Sequence, residues 1–451
     1  MTDSTQSRHL GRTRSGALVA TICCLIVVFD GYDVSVYGAT LPELSKYPSW
    51  DASATVLGLI GSLTMVGMLV GSLVCGFATD RLGRKRMLIA STTWFSLCMI
   101  VCACAPSLTV FGLFRLLAGV GLGGVLPTVN AFAVEFAPAG RRNFFVALVN
   151  IGFALGTLVS AVTSIAVVEH YGFRPMYALA ALPLLLMPVV WFVLPESADY
   201  LAAKGHRHQA AEVAERFRLN RPVLTDEAPR TPGRVRALLG ADLLPKILLF
   251  GVCGIAVQLA IYGLNTWLPQ LMEQSGYPST SALTLHATLS AGAVAGSLAM
   301  GALADRVGVR TMTIVAFGIG AVALAVLSSG PPTLLVFVAV ALAGVGSNGT
   351  AIMLYGYVGT WFPAALRASA LGTFISVARL GGILAPLVGG WIIAAGWPTR
   401  TSFLAFLVPA VLGVLVGFTL PRLRPSHHDT SEPSRPRTAP DISAAAGGDH
   451  Q

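Results

Sequence analysis

Charge is scarce in this chain of 451 residues: Asp, Glu, Lys and Arg make up 11% of it, against about 25% in a soluble globular protein. A soluble enzyme, a nucleic-acid-binding domain and a disordered scaffold all need more polar surface than that. Cysteine supplies no framework either. Cys23, Cys24, Cys75, Cys98, Cys102, Cys104 and Cys253 lie in or at the ends of apolar stretches. Their number is odd and no metal-binding partners stand nearby, so they read as small packing residues. HExxH, GxSxG and clustered His/Cys sets are missing, so neither enzymatic activity nor a cofactor is expected. The net charge of +9 would suit nucleic acid, but the basic residues sit in short loops between apolar runs, where they set membrane orientation.

What the chain has instead is apolar length. It is 54% hydrophobic with a mean hydropathy of +0.72, and each crossing of a ~30 Å hydrocarbon core takes about 20 apolar residues. Runs recur near 16–38, 54–76, 87–105, 108–134, 144–168, 175–194, 244–268, 283–304, 311–328, 333–357, 368–391 and 401–420. They predict an all-α membrane protein with twelve transmembrane helices. The first run follows Arg8, Arg12 and Arg14 like a signal peptide, but it is too long, contains Asp30 and Asp33, and precedes no small-residue cleavage site. The N-terminus, every second loop and the C-terminal tail hold 25 of the 30 Lys and Arg residues, so both termini are expected in the cytoplasm. The organisation expected is a cytoplasmic N-terminal segment (1–15), a six-helix bundle (16–194), a cytoplasmic linker with one short helix near 206–218 (195–243), a second six-helix bundle (244–420) and a disordered tail (421–451).

The two halves repeat at an offset of 225 residues. Gly76-x-x-x-Asp80-Arg81-x-Gly83 returns as Gly301-x-x-x-Asp305-Arg306-x-Gly308, Gly119 and Gly121 as Gly344 and Gly346, Pro138 and Arg142 as Pro363 and Arg367, and Tyr37-Gly38 as Tyr262-Gly263. Both halves start on the same side, so the repeats are parallel. Features common to both halves read as scaffold or gate. The ionisable residues within the apolar runs all break the repeat. Asp30 and Asp33 map to Ile255 and Gln258, Arg115 to Val340, Glu135 to Thr360, Arg379 to Ala154 and His286 to Gly61. A charge at helix-centre depth costs ~2.5–3.5 kcal/mol on insertion scales, so its presence in one half alone suggests use rather than architecture.

Gly76, Asp80, Arg81, Gly83 and Arg84 stand in a glycine-bracketed basic turn that recurs with Asp305 and Arg306, and this duplication marks it as a gating element. Asp30 and Asp33 are three residues apart and share a helix face, with Asp33 ~25 Å along its helix. A carboxylate at that depth serves either as a proton carrier or as half of a structural ion pair. Arg115 lies ~10 Å from the other end of its helix, at a depth matching the aspartates. Arg379 is ~18 Å into the eleventh run with no acid nearby in sequence. A cation there suits a carboxylate substrate, which guanidinium binds bidentately, although a structural pair with the first helix is open too. His286, near the outer end of the eighth run, is either a titrating group or an exposed rim residue. Gln258, Asn265, Asn348 and Tyr355 are further polar candidates for substrate contact. Tyr37, Tyr262 and Phe374 are candidates for stacking on an aromatic ring.

The Gly76–Arg86 turn and its repeat resemble the signature loop of the major facilitator superfamily. Within it, Asp30-Gly-Tyr-Asp33-Val-Ser-Val-Tyr37-Gly38 resembles the first-helix signature of the aromatic acid:proton symporter family. The resemblance spans roughly 16–420. It implies that Asp30, Asp33 and Arg115 couple protons to transport, that Glu135 joins a cytoplasmic charge network with the signature loops including Arg367, and that Pro195–Leu201 takes part in gating. Drug exporters of this superfamily carry a Gly-Pro pair in the fifth helix; Gly152–Gly156 has the glycine spacing without the proline, which favours uptake. The expected function is import of a small benzoate- or hydroxybenzoate-like acid by proton symport, in a monomer of the bacterial inner membrane whose partners are the acid, protons and the lipid bilayer, with no nucleic acid. The alternatives are symport of another organic acid or a sugar, and a non-transporting aromatic-acid receptor.

Overall fold

The computed structural model describes residues 3–138, 141–217, 219, 238, 240, 242–363 and 366–421. Among them are fifteen helices and no strand. They are α1 (Asp3–Lys46), α2 (Ala54–Leu82), α3 (Arg84–Cys104), α4 (Leu108–Glu135), α5 (Arg142–Tyr171), α6 (Arg174–Ala180), α7 (Pro183–Val193), α8 (Ala198–Ala203), α9 (Arg207–Phe217), α10 (Leu244–Gln274), α11 (Ser279–Val307), α12 (Val309–Ser328), α13 (Thr333–Trp361), α14 (Arg367–Ala394) and α15 (Thr399–Thr419). Twelve stretches are long and apolar enough to cross a membrane. The sixth is α6 and α7 together, broken where Pro183 opens the second helix; proline has no N–H to continue the ladder. α1 extends beyond the apolar run to Asp3, while its membrane-spanning stretch starts at Gly16, as hydropathy predicts. The linker helix expected near 206–218 is α9. The rest of the linker lies mostly outside the described residues, as does the tail beyond 421.

Local signals explain the boundaries. Ser53 and Ser107 accept hydrogen bonds from the N–H groups of Val56 and Val110, capping α2 and α4. Gly83 and Gly308 have φ of +94° and +93° and each serves as the only residue between two helices, a backbone conformation that glycine reaches without strain.

The repeat is visible helix by helix. Shifting the first residues of α2, α3, α4, α5 and α6 by the sequence offset gives the first residues of α11, α12, α13, α14 and α15. Packing repeats too. α1 lies on α5, α2 on α4 and α3 on α4 in one half, as α10 lies on α14, α11 on α13 and α12 on α13 in the other. Gly119 lets α4 approach the Thr64 carbonyl of α2 so closely that a Cβ would overlap it, and Gly344 does the same at the Leu289 carbonyl of α11.

The halves meet along α1 with α10, α2 with α14 and α5 with α11. The bundle has two ends. The terminal face carries the α2–α3, α4–α5, α11–α12 and α13–α14 connections, the start of α10 and the end of α15. The opposite face carries the α1–α2, α3–α4, α5–α6, α10–α11, α12–α13 and α14–α15 connections.

Candidate functional site

The seam between the halves is shut at one end and splayed at the other. On α2, Gly58 lies against α14, where a Cβ would sit 2.6 Å from the Pro386 carbonyl. Gly76 is eighteen residues on, five full turns, so it presents the same face, yet a Cβ there would meet nothing within 4 Å. The facing helix behaves alike: Gly390 of α14 abuts the Ala54 carbonyl, while Gly372, also five turns away, faces empty space. Gly301, the repeat mate of Gly76, is open as well. The halves therefore touch towards the opposite face and part towards the terminal face, leaving a cleft that opens there.

Polar ties between the halves lie on the closed side. Lys46 pairs with Glu273 at 2.5 Å, Thr280 donates to Glu169 at 2.8 Å, Ser62 to the Ile383 carbonyl at 2.6 Å, and His286 Nε2 lies 2.8 Å from Ser35 Oγ. The last tie before the cleft is Arg379, whose Nη1 donates to the Met68 carbonyl at 2.7 Å and to Ser72 Oγ at 3.1 Å. Arg379 thus spans from α14 to α2. It is only half-buried, so its remaining donors face the cleft.

At this depth α1 brings its two aspartates into different settings. Asp33 pairs with Arg115 of α4, and both are fully buried. The Arg115 guanidinium lies 5.2 Å from the centre of the Tyr37 ring. Asp30 is completely buried and neither carboxylate oxygen has a hydrogen-bond partner. Arg379 interacts with Asp30 through its charge without an ion pair joining them, and it acts on Tyr262 and Tyr355 likewise. Tyr355 is 38% exposed and packs edge-on against buried Phe374, ring centres 5.6 Å apart. Gln258 and Asn348 are half-buried, with no hydrogen-bond partner among the described residues.

Some expected positions lie elsewhere. Tyr37 is buried and its hydroxyl donates to the Leu57 carbonyl at 2.5 Å, on the closed side of the seam. Asn265 is buried there too, its amide donating to the Ile261 carbonyl at 2.8 Å and its own carbonyl oxygen set against Gly38. His286 is no rim residue: it is fully enclosed between α11 and α1. Glu135 does not join the aspartates. It ends α4 twenty residues beyond Arg115, ~30 Å along the helix, and bonds to Arg84 at 2.6 Å.

Glu135 is the centre of a terminal-face network. It also accepts from the Ala198 N–H at 2.7 Å, at the start of α8 where acidic groups suit the helix N-terminus. Glu196 accepts from the Lys85 N–H at 3.0 Å, and the Tyr200 hydroxyl donates to the Arg81 carbonyl at 2.9 Å. Gly83 is enclosed by this cluster, since a Cβ would sit 2.5 Å from a Glu196 oxygen. Pro195–Leu201 is thus tied to the signature turn. Arg306 and Arg367 are exposed and form no ion pair among the described residues. The side chains of Asp80 and Asp305 lie outside the described residues.

The positions that sequence reasoning passed over are uncharged: Ser35, Ser72, and the amide pair Asn130 and Asn150. Asn130 and Asn150 map to Tyr355 and Ile375 at the repeat offset. The same repeat-breaking test, widened from ionisable to amide side chains, finds them.

Comparison with known proteins adds four findings. The family model of the Major Facilitator Superfamily matches residues 23–295 and 250–446. The benzoate transport protein of Acinetobacter baylyi is 32% identical, covering 89% of each chain. The gentisate transporter of Corynebacterium glutamicum is 34% identical, over 90% of this chain and 87% of its own. Among solved structures, a D-xylose-proton symporter superposes with a TM-score of 0.72 at 18% identity, covering 92% of this chain and 98% of that one.

Proposed function

The chain belongs to the major facilitator superfamily, among its aromatic acid transporters, and we propose that it imports a small aromatic carboxylate together with protons. It is a multi-pass membrane transporter, not an enzyme. The distribution of Lys and Arg supports a bacterial cytoplasmic membrane orientation with both termini inside. On that reading the terminal face is cytoplasmic and the splayed seam is an inward-open state. Its partner state closes the α2–α14 and α5–α11 seams towards the terminal face and parts them at the opposite face, by rocking one half on the other. The working unit is a monomer that needs no cofactor.

The observation that carries the coupling is Asp30, fully buried and without a hydrogen-bond partner, under the influence of Arg379. An ionised carboxylate buried without a partner costs several kcal/mol, and the neutral acid escapes that cost. Arg379 is the positive charge that makes the ionised form tolerable. When a substrate carboxylate occupies the free donors of Arg379, it neutralises that charge and adds a like charge near Asp30. Both effects favour protonated Asp30. Substrate and proton therefore bind with positive cooperativity, and the reciprocity of linkage means that each strengthens the other. The Asp33–Arg115 pair keeps its charges matched beside this exchange. Tyr355 and Tyr262 supply the aromatic wall against which a ring packs, with buried Phe374 backing Tyr355.

Purified protein in liposomes tests the proposal. With an inward-directed proton gradient it should accumulate a benzoate-type acid above its external concentration, and the accumulation should vanish with an uncoupler. Accumulation of lactate or a hexose but no aromatic acid would refute it.

A further inference from the structure

Asn130 and Asn150 meet across α4 and α5. The Asn150 amide donates to Asn130 Oδ1 at 2.7 Å and to the Val146 carbonyl at 2.8 Å. That leaves the Asn130 amide and the Asn150 carbonyl oxygen with no hydrogen-bond partner among the described residues, and both side chains are half-open. The amide orientation follows from the Val146 carbonyl, which can only accept, so the Asn150 group facing it is the NH2. An unsatisfied carboxamide inside a membrane span is not turned to lipid, where no partner exists. It faces the aqueous cleft.

Depth places the pair relative to Arg379. Counted from the terminal ends of their helices, Asn130 lies ~8 Å in, Asn150 ~12 Å, Tyr355 ~9 Å and Arg379 ~18 Å. The amides thus stand level with Tyr355, which occupies the repeat position of Asn130, and lie ~6–10 Å nearer the cleft mouth than Arg379, a difference in depth comparable with the span of a substituted ring. A free donor and a free acceptor side by side match a phenolic hydroxyl, which both accepts and donates.

We propose that Asn130 and Asn150 form a specificity subsite for a ring hydroxyl meta or para to the carboxylate that Arg379 holds. Asn130 donates to the hydroxyl oxygen and the Asn150 carbonyl accepts its proton, while the ring lies along Tyr355. The inference rests on the aromatic-acid reading and adds the residues that discriminate among such acids. A polar pair that the bound ring shuts off from water and leaves without a hydroxyl is what makes an unsubstituted ring a poorer ligand.

The test is counterflow in liposomes with benzoate and its ortho-, meta- and para-hydroxy derivatives, using native protein, Asn130→Leu and Asn150→Leu. The native protein should prefer the meta or para isomer to benzoate by about tenfold or more, and to the ortho isomer likewise. Both variants should reduce that ratio to within about threefold. Two variants are used because either alone can fail to fold, and ratios are compared only for protein that remains monodisperse in detergent. If the amides merely tie α4 to α5, all four substrates fall together and the ratio is unchanged, which overturns the proposal while leaving aromatic-acid transport standing. Native protein that takes up all four acids equally also overturns it. Native protein that takes up none overturns the aromatic-acid reading and this subsite with it.

Discussion

Replacing Gly38 by alanine should bias the conformational equilibrium. Gly38 of α1 lies against the backbone of α10, where an added Cβ would overlap the Asn265 carbonyl oxygen, far inside the 3.0 Å that Cβ atoms keep. The obstacle is main chain from the other half, so no side-chain rotation relieves it. Overpacking of this kind costs about 1–3 kcal/mol. The cost falls on the state in which α1 and α10 are pressed together, and it disappears when the seam opens. The ratio of inward- to outward-open molecules should therefore drop by roughly 5- to 150-fold. Two other glycines serve as controls. Gly31 is pressed against the Phe153 carbonyl of α5 within the same half, so Gly31→Ala strains both states and should lower the melting temperature instead. Gly76 has open space around it, so Gly76→Ala should leave the inward-open state untouched. Hydrogen–deuterium exchange by mass spectrometry reads the outcome. Gly38→Ala should exchange faster over the opposite-face ends of α1 and α10 and slower over the terminal-face ends of α2 and α14. Native exchange and native transport in folded Gly38→Ala protein would refute the reasoning.

Three further outcomes are expected. Arg115→Ala strands a fully buried carboxylate and should cost about 3–5 kcal/mol, whereas Arg115→Leu combined with Asp33→Asn should regain much of it; thermal melts in detergent measure both, and additive losses would count against a buried pair. Asp30 accepts no hydrogen bond, so Asp30→Asn should fold as the native protein does and retain substrate exchange while losing proton-driven accumulation; undiminished accumulation would move the proton elsewhere. Lys46 is largely exposed, so Lys46→Ala should change stability by no more than about 1 kcal/mol. His286→Ala removes an enclosed ring and leaves the buried Ser35 hydroxyl without its partner, so it should be the more destabilising of the two, and the reverse order in a melting series would argue that the outer tie is the stronger.

The amino-acid sequence by itself determined the twelve spans, the parallel repeat, the turn at Gly83 and Gly308, and the pairing depth of Asp33 and Arg115. All but the repeat are set within single stretches of chain: hydropathy is summed along a segment, φ at a glycine is local, and a helix rises by a fixed step. The repeat adds a long-range comparison that needs no structure, and the helix boundaries follow its offset from α2 to α6. The tertiary structure alone decided which end of the seam is open, because open and closed arrangements of the same helices differ by few kcal/mol and share every local signal. It decided that His286 is enclosed against Ser35, that Arg379 reaches α2 rather than an acid, and that Tyr37 and Asn265 belong to the closed seam. Those outcomes depend on how each helix is rotated and on how the two halves lean together. It also brought Asn130 beside Asn150, on neighbouring helices whose facing angle is a property of packing and is carried by no single stretch of chain.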